Sequence, residues 1–199
     1  MEFSNYCFDT LCVQGSPEAK SVDLSGAISV PLVQSATFAH PGLGESTGYD
    51  YSRLSNPTRK FLEETVAALD GAKFGFAFSC GMAAETAFFS MLETKSHIIS
   101  SEDNYCGSLR LFNTIVKKQG IETTFVDTSS LEQIEKAFRP DTKIVFIETP
   151  GNPVMTVTDI KKTAELAHSH GALLVVDNTF LTAYYQKPLA LGADVVIQS

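Results

Sequence analysis

From Asn56 onward, short apolar runs alternate with stretches of helical periodicity, and no other feature constrains the fold as tightly. Phe74–Phe78, His97–Ser100, Ile121–Val126, Lys143–Glu148, Ala172–Asp177 and Asp194–Gln198 read as strands. Several are nearly continuous in apolar residues, the pattern of strands buried on both faces. Between them lie helical segments. Asn56 and Pro57 form a cap and a first-turn proline, Phe61, Leu62, Thr65, Val66 and Leu69 share a face, and Asp70-Gly71 stops that helix. Ala84, Ala87, Phe88, Met91 and Leu92 mark a second helix, and Leu109, Phe112, Ile115 and Val116 a third that ends at Gly120. Ser129 or Ser130 can cap a fourth with Glu132 or Gln133, and Asp159–His170 is a fifth. This alternation predicts an α/β fold: a mostly parallel central sheet with helices on both faces. In such sheets ligands bind beyond the carboxyl ends of the strands.

Residues 1–57 differ from the rest, being rich in Gly, Ser, Pro and Thr, with P-G-L-G-E-S-T-G at 41–48 as a turn-forming stretch. They read as an extended arm on a surface, its own or a neighbour's. The formal net charge of −8 repels nucleic acid and anionic lipid on average, so neither is expected as a partner. Cys7, Cys12, Cys80 and Cys106 show no C-x-x-C spacing, which fits a reduced, cytoplasmic chain. The acidic start M-E-F-S-N-Y-C-F-D is not a signal peptide, and no apolar run approaches membrane-spanning length. His168 and His170 point to different helix faces, and no metal site is expected.

Polar residues follow the strands. Ser79–Met82 (S-C-G-M) opens a helix, where backbone N–H groups either approach an anion or simply make a tight turn. Glu148–Pro153 (E-T-P-G-N-P) displays Glu148 and Asn152 on a rigid loop or merely turns the chain. Asp177 emerges from A-L-L-V-V at the edge of an apolar wall, where a carboxylate needs a partner. Ser199 suits an anion or a cap. Neither the Walker pattern nor a strand–G-x-G-x-x-G–helix unit occurs, which disfavours a nicotinamide enzyme.

Taken with Y-S-R at 51–53, these segments resemble one family. Y-S-R-L-S-N-P-T, S-C-G-M-A-A, S-E-D-N-Y, E-T-P-G-N-P, V-V-D-N-T-F and A-D-V-V-I-Q-S stand in the order found in the pyridoxal-phosphate enzymes of cysteine and methionine metabolism. That family holds cystathionine synthases and lyases, methionine γ-lyases and O-acylhomoserine sulfhydrylases. The resemblance implies the fold type I transferase-like architecture and pyridoxal 5'-phosphate as cofactor. It makes Asp177 the partner of the ring nitrogen and Tyr105 the aromatic stacked on the ring, with a proton-transfer role. Gly81 and Met82, with Thr179 and Ser199, correspond to phosphate and ring contacts. Asn152 matches the residue near the phenolic oxygen, and Glu148 supports it. Tyr51 and Arg53 correspond to residues that hold the phosphate of a neighbouring subunit's cofactor, which implies a homo-oligomer, a tetramer built from dimers with shared active sites.

The resemblance also implies a truncated chain, with residues 58–199 the first part of the large pyridoxal-phosphate-binding domain and the remainder and the C-terminal domain absent, since the lysine that holds the cofactor in the family follows three residues beyond Ser199, in S-x-[TS]-K. The expected reaction is γ-replacement on an O-acylhomoserine with cysteine or sulfide. The alternatives are elimination by a cystathionine β- or γ-lyase or a methionine γ-lyase, and a non-catalytic cofactor-binding fragment. The stretch F-A-H-P-G-L-G-E-S-T-G-Y-D-Y-S-R is most similar to bacterial γ-replacement enzymes. Methionine γ-lyases tend to carry cysteine two residues after the stacking tyrosine, where this chain has Gly107; Cys106 and Gly151 also depart from the commoner glycine and serine.

Overall fold

A computed structural model describes residues 6–15 and 29–199. The arm's residues 1–5 and 16–28 lie outside the described residues. The chain divides into two compact units, Met1–Ala77 and Phe78–Ser199.

The first unit carries α1 (Phe8–Gln14) and α2 (Pro57–Asp70). The segment expected to be an extended arm thus contains a helix. Asn56 caps α2, its side chain accepting the Thr58 N–H at 2.9 Å, and Gly71 ends it in the left-handed conformation. The Asn56 amide also donates to the Val33 carbonyl, and Arg59 donates to the carbonyls of Ser52 and Leu54 at 3.0 and 2.8 Å. These bonds fasten the Tyr51–Leu54 turn to the start of α2.

Phe74–Phe78 is not a strand. Gly75 lies against the Glu63 carbonyl of α2, and the Ala77 N–H donates to the Glu63 carboxylate at 3.0 Å. The Ala77 N–H therefore goes to a helix rather than a ladder, and Phe74 and Phe76 stay exposed at 67% and 77%.

The second unit holds α3 (Gly81–Phe89), β1 (His97–Ser101), α4 (Cys106–Leu111), β2 (Glu122–Val126), α5 (Leu131–Ala137), β3 (Thr142–Glu148), α6 (Ile160–Ser169), β4 (Leu173–Asp177), α7 (Thr182–Tyr185) and β5 (Val195–Ile197). Five parallel strands stand in the order β2-β1-β3-β4-β5, the expected α/β architecture. Alternate residues of each strand feed opposite cores. Ile99, Val145, Ile147, Leu174 and Val176 pack with Ile134 of α5 and Ile160, Ala164 and Ala167 of α6. Ile98, Ile144, Phe146, Val175 and Ile197 pack with Phe89 of α3 and with Leu111, Phe112 and Val116.

Two helices deviate from the expected stripes. The fully buried residues of α3 are Gly81, Glu85 and Phe89, while Met91 lies beyond its end and is exposed. After α4 the chain makes a π-helical turn, Phe112–Val116. That wider turn shifts the buried face, so Leu111 is inside and Ile115 outside. Ser130 caps α5 and Asp159 caps α6.

Candidate active site at the strand ends

The order β2-β1-β3 reverses the direction of winding between β1 and β3, so the loops after these strands diverge and leave a crevice. The loop after β1 carries Tyr105, β3 ends on Glu148, and the loop after β3 carries Asn152. The Tyr105 N–H donates to Glu148 Oε2 at 2.6 Å, and the Asn152 backbone N–H supports the same carboxylate. Glu148 thus fixes the head of α4 and the E-T-P-G-N-P loop together. Gln186 ties this loop to the next one, donating to the Thr149 carbonyl at 2.9 Å and to Asn178 Oδ1 at 2.8 Å.

Glu148 and Asp177 are register partners on β3 and β4, and Ile197 of β5 continues the row. By strand alternation they share the face that carries Phe146 and Val175. Two residues beyond Ile197, Ser199 meets the start of α3: the Gly81 N–H donates to Ser199 Oγ at 3.3 Å. A side chain at position 81 would collide with Ser199, its Cβ falling 2.6 Å from the serine's Cβ, so only glycine permits this approach. Thr179 links the two ends of the site. Its N–H donates to Asp177 Oδ1 at 2.9 Å, and its hydroxyl accepts the Ser199 N–H at 3.1 Å. At the head of α4, Gly107 is flanked by the Tyr105 ring and the Met82 sulfur.

The structure therefore brings Gly81, Thr179, Asp177 and Ser199 into one group, and Tyr105 with Met82, Glu148 and Asn152 into another joined to it by the Glu148–Asp177 pairing. Tyr51 and Arg53 belong to the first unit and pair with each other, the guanidinium lying 4.9 Å from the ring centroid.

Sequence reasoning missed Glu85 and Ser108. Glu85 is only 2% exposed, and the Ser108 hydroxyl donates to its Oε1 at 2.8 Å. Its Oε2 has no hydrogen-bond partner. The available signal was a lone carboxylate within the apolar helix M-A-A-E-T-A-F-F. Burial, and then the charges of Asp177 and Glu148, push the Glu85 carboxyl up to about 7 against the pull of Ser108. Glu148 is likewise raised to about 7, by burial first and then by Asp177 and Asp103. Burial raises Asp177 too, opposed by both Thr179 hydrogen bonds. Among the described residues, none of the ion pairs reaches these three acids.

This donor set fits pyridoxal phosphate. Three buried acids without a cation favour a protonated ring nitrogen beside Asp177. The Gly81–Ser199 approach, at the positive end of α3, suits a phosphate. A separate cavity of about 210 Å³ is lined by Glu102, Asp103, Asp127, Ser129, Val154 and Thr156. Its three carboxylates would repel an anionic cofactor, so it is not the better place. Among the described residues, no cluster of three or more His, Cys, Asp or Glu could hold a metal, and no helix is long and apolar enough to cross a membrane.

Comparison with known proteins gives the family. The chain is 49% identical over 175 residues to the cystathionine γ-lyase of Bacillus subtilis, covering 88% of this chain and 46% of that protein. It is 45% identical over 195 residues to the cystathionine γ-synthase of Haemophilus influenzae, covering 98% of this chain and 52% of that protein. The crystal structure of cystathionine γ-lyase from Lactobacillus plantarum complexed with L-serine superposes with a TM-score of 0.92 at 41% identity, covering 98% of this chain and 50% of that one. The chain spans about half the length of these relatives. Residues 9–199 match one family throughout, and the chain belongs to the PLP-dependent enzymes of Cys/Met metabolism.

Proposed function

We propose that the protein is a cytoplasmic transsulfuration enzyme that carries out γ-replacement on an O-acylated homoserine, with cysteine or sulfide as the incoming thiol. The observation that carries the cofactor chemistry of this reading is the Glu148–Asp177 pair set between the Tyr105 loop and the Gly81–Ser199 approach. Pyridoxal phosphate, when bound, supplies an electron sink for carbanion chemistry at the substrate's α-carbon. With the cofactor bound, Asp177 would hold the ring nitrogen, its negative charge keeping that nitrogen protonated. The Gly81 and Met82 backbone with Ser199 would receive the phosphate, while Thr179 steadies Asp177. Asn152 would serve the phenolic oxygen. Tyr105 would support the ring and move a proton at its own phenol oxygen. Tyr51 and Arg53, on a turn fastened to α2, reach the phosphate in a neighbouring subunit from within an arm formed by residues 1–57. That sharing makes the active form a homo-oligomer, a tetramer built from dimers. Gly107 beside Tyr105, and the similarity of residues 38–53 to γ-replacement enzymes, support replacement over methionine elimination.

The similarity to the Bacillus subtilis γ-lyase supports a second reading, elimination from cystathionine. Purified protein supplied with cofactor separates the two. Consumption of O-acetyl- or O-succinylhomoserine that depends on added cysteine or sulfide is the expected result. Turnover of cystathionine or methionine alone, without replacement, would overturn the first reading in favour of the second.

A further inference from the structure

One face of α3 runs over the site through three residues, each about one helical turn from the next: Gly81, Glu85 and Phe89. Gly81 meets Ser199, and Phe89 packs edge-on against Phe146 at 5.4 Å between ring centroids. A helical turn and two strand residues advance by similar lengths, so Glu85, between Gly81 and Phe89, lies over the Glu148–Asp177 row, two residues on from Phe146. Ser108 of α4 pins it there by its hydroxyl. Glu85 is buried, carries a free Oε2, and touches neither end of the expected cofactor contacts.

We propose that Glu85 is a positioning residue of the cofactor site: held by Ser108 behind Asp177, its carboxylate deepens the negative potential that Asp177 presents and so strengthens the hold on a protonated ring nitrogen. This rests on the reading of Asp177 as the ring-nitrogen partner.

The groups around Glu85 set the sign of the effect. Asp177 comes from β4 and Glu148 from β3, with Asp103 beyond Glu148. From α4 come Ser108, the exposed Tyr105 and Cys106 at its head, and Arg110, which is exposed; α3 and β5 add no other charged group. Glu85 therefore meets acids only. Near pH 6 it holds a proton and is electrically silent. Above its titration it is ionised, and a bound cation relieves the repulsion.

The test is the Kd of pyridoxal phosphate for the apoprotein, full chain, by fluorescence quenching at about pH 6 and about pH 8.5. Glu85→Gln keeps the shape and removes the charge. The expected result is a Kd raised roughly tenfold at the higher pH and nearly unchanged at the lower, the scale of one charge acting over about 10 Å in partly buried surroundings. An equal change at both pH values, or none at the higher one, overturns the proposal, because a merely structural role would not follow ionisation. Ser108→Ala gives a second route if Glu85→Gln folds poorly. Without that hydroxyl the pH at which affinity strengthens moves upward, and an unmoved midpoint counts against the proposal. Asp177→Asn separates the levels. If it weakens binding while Glu85→Gln does nothing, only the role of Glu85 falls; if it too does nothing, the reading of Asp177 falls with it.

Discussion

Tyr105, on the loop after β1, and Glu148, the last residue of the neighbouring strand β3, are joined by a backbone-to-carboxylate hydrogen bond of 2.6 Å. The bond spans the crevice where the sheet changes winding direction, so it sets where α4 begins. Hydrogen bonds to charged groups contribute about 1.5–3 kcal/mol. Glu148→Ala is expected to speed hydrogen exchange at the Tyr105 amide roughly ten- to a hundredfold. Glu148→Gln keeps an acceptor and should retain most of the protection. Equal exchange in the alanine variant and the parent would show that the head of α4 is held by something else.

Gly107 offers a second control on Tyr105. A Cβ there would lie 2.5 Å from the tyrosine Cε1 and 2.8 Å from the Met82 sulfur. The methionine end is flexible and can yield, so the aromatic ring must turn. Gly107→Ala is expected to lower stability by about 1–3 kcal/mol, the scale of overpacking. It should also weaken pyridoxal phosphate binding, because the stacking face is displaced. Thermal unfolding and fluorescence quenching report the two effects, and an unchanged Kd would mean the ring needs no fixed orientation.

The sequence was most legible where period and capping agree. The runs K-I-V-F-I-E and L-L-V-V-D are strands, and Asn56-Pro57 starts a helix that Gly71 ends, because local geometry and burial favour the same state there. Phe74–Phe78 failed for a tertiary reason: its apolar residues read as a strand, but Glu63 of a preceding helix takes its backbone donor. The π-helical turn after Leu111 escaped because a change of helical period leaves no mark on a stripe assumed to be regular. At the site, Asp177 and Ser199 stood out as polar residues at strand ends, and Gly81 as a small residue at a helix start. Glu85 did not, since its place over the Glu148–Asp177 row comes from helix–sheet packing that spacing alone cannot supply.

Asp194 anchors the start of β5 to two other elements. Its Oδ2 accepts the His168 Nε2–H at 2.9 Å and the N–H of buried Leu174 at 2.8 Å. Asp194→Ala leaves the Leu174 N–H without that acceptor, at a cost of about 1–3 kcal/mol. Asp194→Asn retains an acceptor oxygen and should lose less. Urea unfolding of the three proteins checks this order, and equal stability of the alanine and parent chains would refute it.

The buried acids also make stability depend on pH, with a definite sign. Glu85 and Glu148 titrate at about 7 in the folded chain, above the ordinary glutamate value of 4.5. Between those values the folded state binds more protons than the unfolded one, so unfolding free energy falls as pH rises through the window and levels off above it. Glu85→Gln cannot ionise and escapes its share of that fall. Relative to the parent apoprotein it is expected to match stability at about pH 4.5 and to exceed it by about 2–3 kcal/mol at about pH 8.5. Chemical denaturation of the apoproteins at both pH values measures the gap, and a gap of the same size at both would mean that Glu85 is not ionising in the fold. The same charge that costs the apoprotein stability above neutrality favours a cation beside Asp177. A variant more stable without cofactor and weaker in binding it, both only at high pH, would therefore trace the two effects to one carboxylate.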